Sequence, residues 1–344
     1  MSTSNRFHFL DSLRGFAVAG ILLVNAADLM YLGHDVPVRP FQTIPLAENV
    51  LNFLVATRFV PIFSFMFGMS MGFVIDSAIR RGAPAWKILL RRLAALLVIG
   101  LLHSILYPGE ILRDYAVVGA ILLPFVLKVP RSVRLVLGLL ATVGAYAFTG
   151  GGELSLPGLF LLGSAAQAYG LPARLEHADR RIGAATLVFA AASAAAIPWQ
   201  AAEGGDPRFF TAGGVAGGLM ACLYVCLLAL LWRTPVRRAL SAVFEPLGRM
   251  ALTCYVTASF VMVPAGVLLD SRSTQDVIPG LIVAAAVLPL QWVFCRLWLS
   301  RFAYGPLEWV WRCITWWRWI PLQRPQSKRL DPVSSAPTTT DGIA

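Results

Sequence analysis

Apolar residues fill most of this chain in stretches of about twenty, separated by short segments where arginine, glycine and proline gather. Roughly twenty apolar residues in a helix cross the hydrocarbon core of a bilayer. Hydropathy places such stretches near 13–32, 51–79, 88–107, 111–128, 133–149, 155–171, 182–199, 211–232, 247–269 and 278–299. The pattern predicts an all-α, polytopic transmembrane helix bundle of about ten spans, one domain over residues 1–322. The fifth and sixth stretches are shorter and glycine-rich. Residues 33–50 carry Pro37, Pro40 and Pro45 and read as an irregular loop. After the last span, on a helical wheel of 306–320, Trp309, Cys313, Trp316, Trp317 and Ile320 share one side, with Arg312, Thr315 and Arg318 elsewhere. That spacing predicts an amphipathic helix lying in the interface, its indole rings at headgroup level. Residues 323–344 are polar and rich in Pro and Thr, and read as a disordered cytoplasmic tail.

Composition agrees with the pattern. The 344 residues are 57% hydrophobic and 14% charged, with a mean hydropathy of +0.69. A soluble domain carries about a quarter charged residues. The formal charge of +11 is not gathered into one patch, which excludes a nucleic-acid surface as its explanation. Clusters such as Arg80, Arg81, Lys87, Arg91 and Arg92 alternate with the apolar stretches. With a cytoplasmic N-terminus they all fall inside, leaving Arg39, Arg113, Arg208 and Arg272 outside and Arg58 within a span. This positive-inside bias predicts a multi-pass protein with both termini in the cytoplasm and the lipid bilayer as its first partner. The N-terminus has the look of a signal peptide, but Asp28 and Tyr31 follow the apolar stretch without a small-residue cleavage site, so it reads as a retained helix. All five cysteines lie in spans or on the inner side, and no disulfide framework is expected. Cys222 and Cys226 share a helical face without a further nearby ligand and read as packing residues. No metal site and no bound cofactor are expected.

Polar residues are few inside the spans, and those present stand out. A charged side chain at membrane depth costs about 2.5–3.5 kcal/mol on insertion scales and marks a functional candidate. Gly100 and His103 close the third span, and Glu110, Asp114 and Tyr115 open the fourth. Asn25 lies about 16 Å along a helix from Arg14, and His103 the same distance from Arg92, at 1.5 Å per residue. Arg58 lies about 15 Å inward from Glu48 on the same rule. Asn25, Arg58 and His103 are thereby expected at one level, with Glu110 and Asp114 beside them, forming a polar pocket open to the outside. In it, His103 would act as a general base oriented by Glu110 or Asp114. Each residue has a plainer reading: Glu110 as the complement of a helix dipole, His103 as a hydrogen-bonded interface residue, Arg58 as a snorkelling cation. At the inner edge, Asp11 and Arg14 read either as a helix cap with a headgroup anchor or as a site for a phosphate-bearing ligand. Gly68-Met69-Ser70-Met71-Gly72 has the spacing of a serine-hydrolase elbow, but it lies inside a helical stretch. There Ser64, Gly68 and Gly72 make a small-residue packing face.

Several of these residues carry a family resemblance. Leu10-Asp11-Ser12-Leu13-Arg14-Gly15 with Asn25, Phe63 to Gly68, the His103/Glu110/Tyr115 group, Gly248-Arg249 to Tyr255, and Gly305-Pro306-Leu307-Glu308-Trp309 to Arg312 occur in the order seen in the YeiB-like family of bacterial inner-membrane proteins. That family is more distantly similar to membrane acyltransferases of the acyltransferase-3 and heparan glucosaminide N-acetyltransferase types. The resemblance implies a cell inner membrane location and transfer of an acyl group from cytoplasmic acyl-CoA to an envelope glycan or small-molecule acceptor. Arg14, helped by Arg249, would engage the donor, while Asn25, Arg58, Tyr115 and Tyr255 would hold the acceptor or its oxyanion. The sequence departs from the acyltransferase-3 pattern at Asn25, where that type has a histidine. It carries Glu110 where relatives often have Asp. A small-solute transporter is the alternative, although no carboxylate lies at the centre of a span. A lipid-sensing scaffold built on the Trp-rich helix is a third reading.

Overall fold

The computed structural model describes residues 6–37, 44–177 and 180–323. Arg39 and the expected tail lie outside the described residues, except for Gln323, which pairs with Phe302 in an isolated bridge. The described residues form fourteen α-helices and two short 3₁₀ turns, with no strand among them. In chain order the helices are α1 (His8–Leu29), α2 (Leu46–Leu54), α3 (Phe59–Arg80), α4 (Ala85–His103), α5 (Leu112–Lys128), α6 (Arg131–Thr149) and α7 (Leu156–Ala168). They continue with α8 (Leu171–His177), α9 (Arg180–Glu203), α10 (Thr211–Leu231), α11 (Arg237–Arg249), α12 (Ala251–Leu268), α13 (Ile278–Arg301) and α14 (Pro306–Trp316).

Seven helices among the described residues are long and apolar enough to cross a membrane. The number is eight if the stretch Gly152–Ala168 and Leu171–His177, bent by 73°, is one span. Both fall short of the ten expected. α4 carries Lys87, Arg91 and Arg92, and α5 has only 17 residues.

The breaks in the apolar stretches fall at particular residues. The stretch 51–79 divides into α2 and α3 at Thr57, which adopts the left-handed region (φ +65°). Its hydroxyl donates to the Gly213 carbonyl of α10 at 3.0 Å, so a distant helix holds the break. The stretch 247–269 divides at Met250 (φ −119°, ψ 32°) into α11 and α12. The interfacial helix stops at Trp316 rather than residue 320, because Trp317 turns left-handed (φ +51°). Its packed side is Glu308, Trp311 and Thr315, while Trp317 and Trp319 stand in the open. α1 begins at His8, so Asp11 is a first-turn residue and not the cap. The Phe9 N–H is instead taken by Glu176 of α8 at 2.8 Å.

Between lipid-embedded helices no hydrophobic drive operates, and cohesion comes from close packing. α1 is the hub, packed on α3, α11, α12 and α13. A side chain at Gly15 would overlap the Phe244 carbonyl of α11, and one at Gly248 would overlap the Asp11 carbonyl of α1, so two backbones meet with nothing between them. Gly68 likewise sits on the backbone of Phe160 in α7, which makes the G-x-S-x-G stretch a packing face. Ser70 within it accepts a hydrogen bond from Arg92 at 3.1 Å. Around Tyr115, the rings of Phe63, Phe67 and Phe160 pack with centroids 5.2–6.1 Å away. On the outside, α6 buries only Gly138, and Leu139, Leu140 and Val143 face outward as a lipid-facing helix requires.

Candidate functional site

At the arginine-poor end of the bundle lies a cavity of about 390 Å³. Asn25 and Asp28, three residues apart on α1, supply its polar wall with Arg208 from the α9–α10 connection. Tyr31, Tyr107, Tyr115 and Tyr255 supply aromatic surface, and His34 meets the Tyr31 ring edge-on at 5.3 Å. A volume of this order suits a small molecule. Arg208 donates to Asp28 at 2.5 Å and to both oxygens of Asp206, at 2.8 Å from its second terminal nitrogen, and so clasps α1 to the α9–α10 connection. Burial works against the Arg208 cation, but the Asp206 hydrogen bond and the Asp28 and Asp206 charges outweigh it, and its pKa rises. A second clasp joins Arg272 to Asp35 at 2.8 and 2.9 Å, and the Arg272 hydrogen bond holds the Asp35 carboxyl below its usual range.

Behind the cavity wall sits a buried polar group. His103, the last residue of α4, places Nε2 2.8 Å from the hydroxyl of Ser259 on α12. Its Nδ1 has no hydrogen-bond partner and faces Glu110 Oε2 at 3.7 Å. All three side chains are buried, Ser259 at 1% exposure, Glu110 at 2% and His103 at 4%. Glu110 also accepts the N–H groups of Leu112 and Arg113, each at 2.8 Å, and so caps α5. The dipole-complementing role and a site role thus fall on one carboxylate, since each oxygen has two lone pairs. Gly100 makes this possible: a Cβ there would lie 2.7 Å from Glu110 Oε1 and 2.6 Å from the Arg113 nitrogen.

His103 itself does not line the cavity. Tyr107 and Tyr255, whose rings lie 6.1 and 5.3 Å from the imidazole, do. A small chamber of about 10 Å³ lies beside Ser259, near the minimum for one water. It shares Ile21, Asn25, Tyr107 and Tyr255 with the large cavity, and Gln291 of α13 borders it.

Of the residues expected to converge in one pocket, Asn25, Tyr115 and Tyr255 line the cavity, while His103 and Glu110 pair behind it. Tyr115 fixes its hydroxyl on Ser64 at 2.6 Å. Asp114 is not among them, and its carboxylate pairs with the neighbouring Arg113 at 3.3 Å. Arg58 is also elsewhere. Its guanidinium is fully buried and turned towards α9 and α10, donating to Gln200 at 2.7 Å, Thr57 at 2.9 Å and the Ala56 carbonyl. The 15 Å rise assumed one continuous helix from Glu48, whereas α2 ends at Leu54 and Arg58 caps α3. Ser259, Asp28 and Arg208 were missed. Asp28 follows Asn25 by one turn, and Ser259 follows Tyr255 by one turn, so same-face spacing was the available signal.

The arginine-rich end holds a second group. Arg14 donates to Asp11 at 3.2 Å and to the Gly248 carbonyl at 3.4 Å, while Asp11 also takes Arg6 at 2.7 Å. Arg249 donates to the Ala303 carbonyl at 3.3 Å. The Arg92 guanidinium lies over the Trp311 ring, 3.6 Å from its centre, and within electrostatic range of Arg14 and Arg312. Arg312 stacks on Tyr304 at 4.5 Å. The Gly305-Pro306-Leu307-Glu308 motif is a cap: Glu308 accepts from Leu252 N–H at 2.7 Å, Thr253 N–H at 3.0 Å and the Thr253 hydroxyl at 2.6 Å. Thr253 in return accepts the Leu307 N–H at 3.2 Å. A side chain at Gly305 would overlap the Glu308 carboxylate.

Residues 170–318, which include Arg208, Tyr255, Ser259 and Glu308, match the family described as "Protein of unknown function (DUF418)". The chain is also 30% identical over 342 residues to the "Uncharacterized 39.9 kDa protein in amylase 3'region" of Bacillus acidopullulyticus, covering 94% of this chain and 97% of that protein. The chain belongs to the DUF418 family. Another relative, "Uncharacterized protein YxaH" of Bacillus subtilis (strain 168), is 28% identical over 392 residues, with 94% of this chain and 97% of that protein covered. The cavity of this DUF418 protein is built from residues before and within the matched segment, since Asn25, Asp28 and Tyr107 precede it and Arg208 and Tyr255 lie inside it.

Proposed function

We propose that this DUF418 protein is a ten-span acyltransferase of the bacterial inner membrane, with both termini and the arginine-rich end in the cytoplasm. It takes a hydroxyl- or amine-bearing acceptor, a sugar or similar small molecule, into the cavity from outside. The acyl group comes from cytoplasmic acyl-CoA. The observation that carries this reading is the His103–Glu110 pair one side chain behind a cavity of small-molecule size. An imidazole whose Nδ1 faces a carboxylate, leaving Nε2 to accept a proton, suits general-base chemistry. Asn25 and the tyrosine hydroxyls can hold acceptor hydroxyls, and Arg14, Arg92 and Arg312 can hold the donor's phosphates. α4 and α5 are counted as the remaining spans, because the His103–Glu110 turn joins them at the cavity end.

The test uses the full chain in nanodiscs with radiolabelled acetyl-CoA and cell-envelope extract. Label transferred by wild type and lost in His103→Ala supports the enzyme. Equal transfer by the variant refutes the base assignment. A second reading, a small-solute exporter, draws on the Arg208–Asp28 clasp over the cavity. Solute flux from proteoliposomes with no acetyl-CoA binding would favour it.

A further inference from the structure

Ser259 is placed as only one hydroxyl in the described structure is. Its Oγ sits 2.8 Å from His103 Nε2, while Nδ1 of the same ring faces Glu110 Oε2 at 3.7 Å. Nucleophile, base and orienting carboxylate occur in that sequence of contacts, the relation a serine needs to become nucleophilic. The 3.7 Å separation is looser than a formed hydrogen bond, as is common before substrate binds. The carboxylate cannot drift, because Leu112 and Arg113 N–H groups hold both its oxygens. Neutral His103 can carry its proton on Nδ1, towards Glu110, leaving Nε2 to accept from Ser259.

The hydroxyl also borders a space. The small chamber beside it shares Asn25, Tyr107 and Tyr255 with the large cavity. Tyr255 is tethered there by a long 3.4 Å bond from the Ile111 N–H. Tyr255 lines both spaces, so displacement of its ring is the step by which a bound molecule would reach Ser259. Asn25 and Gln291 border the chamber and offer amide N–H groups to an oxyanion, although Gln291 now donates to the Cys254 carbonyl at 2.8 Å.

We propose that Ser259 is the nucleophile of a Ser259–His103–Glu110 triad and carries the acyl group as an ester between donor and acceptor. The proposal rests on the acyl-transfer reading above and specifies its route. In the first half, Ser259 Oγ attacks the thioester carbonyl of acyl-CoA while His103 Nε2 takes its proton. The C–S bond breaks, and the same proton passes to the departing thiolate. In the second half, an acceptor hydroxyl or amine attacks the serine ester, again losing its proton to His103, and Ser259 leaves with that proton. No oxidant or metal enters, and the thioester supplies the driving force.

The experiment treats the full chain in nanodiscs with a fluorophosphonate probe, which labels activated serines without needing a donor, and separately with acetyl-CoA under acid quench. Peptide mass spectrometry then maps each adduct. Both should fall on Ser259. Ser259→Ala should abolish them, His103→Gln should slow probe labelling on the order of a hundredfold to ten-thousandfold, and Ser104→Ala, one residue past the imidazole, should leave labelling unchanged. Because the adduct is mapped on wild type, a poorly folding variant does not decide the result. Absence of any adduct on Ser259, or undiminished acetyl transfer by Ser259→Ala, overturns the proposal. The latter outcome leaves acyl transfer itself standing. Probe labelling of Ser259 without acetylation supports the triad and points the failure at the donor.

Discussion

Removing the Glu308 carboxylate is the most informative test of the fold around the site. It accepts three hydrogen bonds at the start of α12, from the Leu252 and Thr253 N–H groups and the Thr253 hydroxyl. A lost helix cap costs about 0.5–2 kcal/mol, and a buried donor left unpaired costs about 1–3 kcal/mol. Glu308→Ala orphans two amides and one hydroxyl within one turn. Because neighbours do not add fully, the expected loss is about 3–4 kcal/mol. Glu308→Gln keeps an acceptor for the amides and should lose about 1–2 kcal/mol. Thermal unfolding in detergent, followed by size-exclusion of the soluble fraction, should rank wild type above Gln above Ala. Near-UV dichroism would report loosening around Trp309 and Trp311. Alanine melting with wild type, or glutamine melting with alanine, would refute the capping role.

Three further outcomes are expected. Gly248→Ala drives a methyl group into the Asp11 carbonyl and should cost about 1–3 kcal/mol or more, read as a collapse in monodisperse yield, whereas Gly144→Ala, which meets open space, should not. Arg208→Gln should release the clasp on Asp28, and hydrogen exchange should rise in residues 28–34 and 205–210 while the α5 amides stay protected. The Asp35–Arg272 clasp should be pH-dependent. The Asp35 carboxyl lies below its unfolded value, so the clasp is fully formed above the usual aspartate pKa and is lost as pH falls through the depressed one, a transition that Asp35→Asn should remove from exchange profiles.

The all-helical character and the run of apolar helices were legible because hydropathy has one dimension and so does a span. Its breaks were not, because their causes lie far away in sequence: Gly213 holds Thr57 from 156 residues off, and Glu308 caps Thr253 from 55. The His103–Glu110 pair was readable because the two residues flank a single turn. Ser259 was not, standing 156 residues from the imidazole it touches. Arg58 and Asp114 show the opposite limit. Depth along a helix says nothing about which way a side chain points, and each of these two found its partners elsewhere.

The exchange of hydrogen bonds between Thr253 and Glu308 also orders the birth of the protein. A ribosome delivers α12 well before it delivers the carboxylate that finishes it, so the helix enters the lipid with bare amides at its leading turn. Completion waits for α14, the last helix among the described residues. A nascent chain cut short of residue 308 therefore holds every residue of the cavity but leaves the Leu252 and Thr253 amides without their carboxylate.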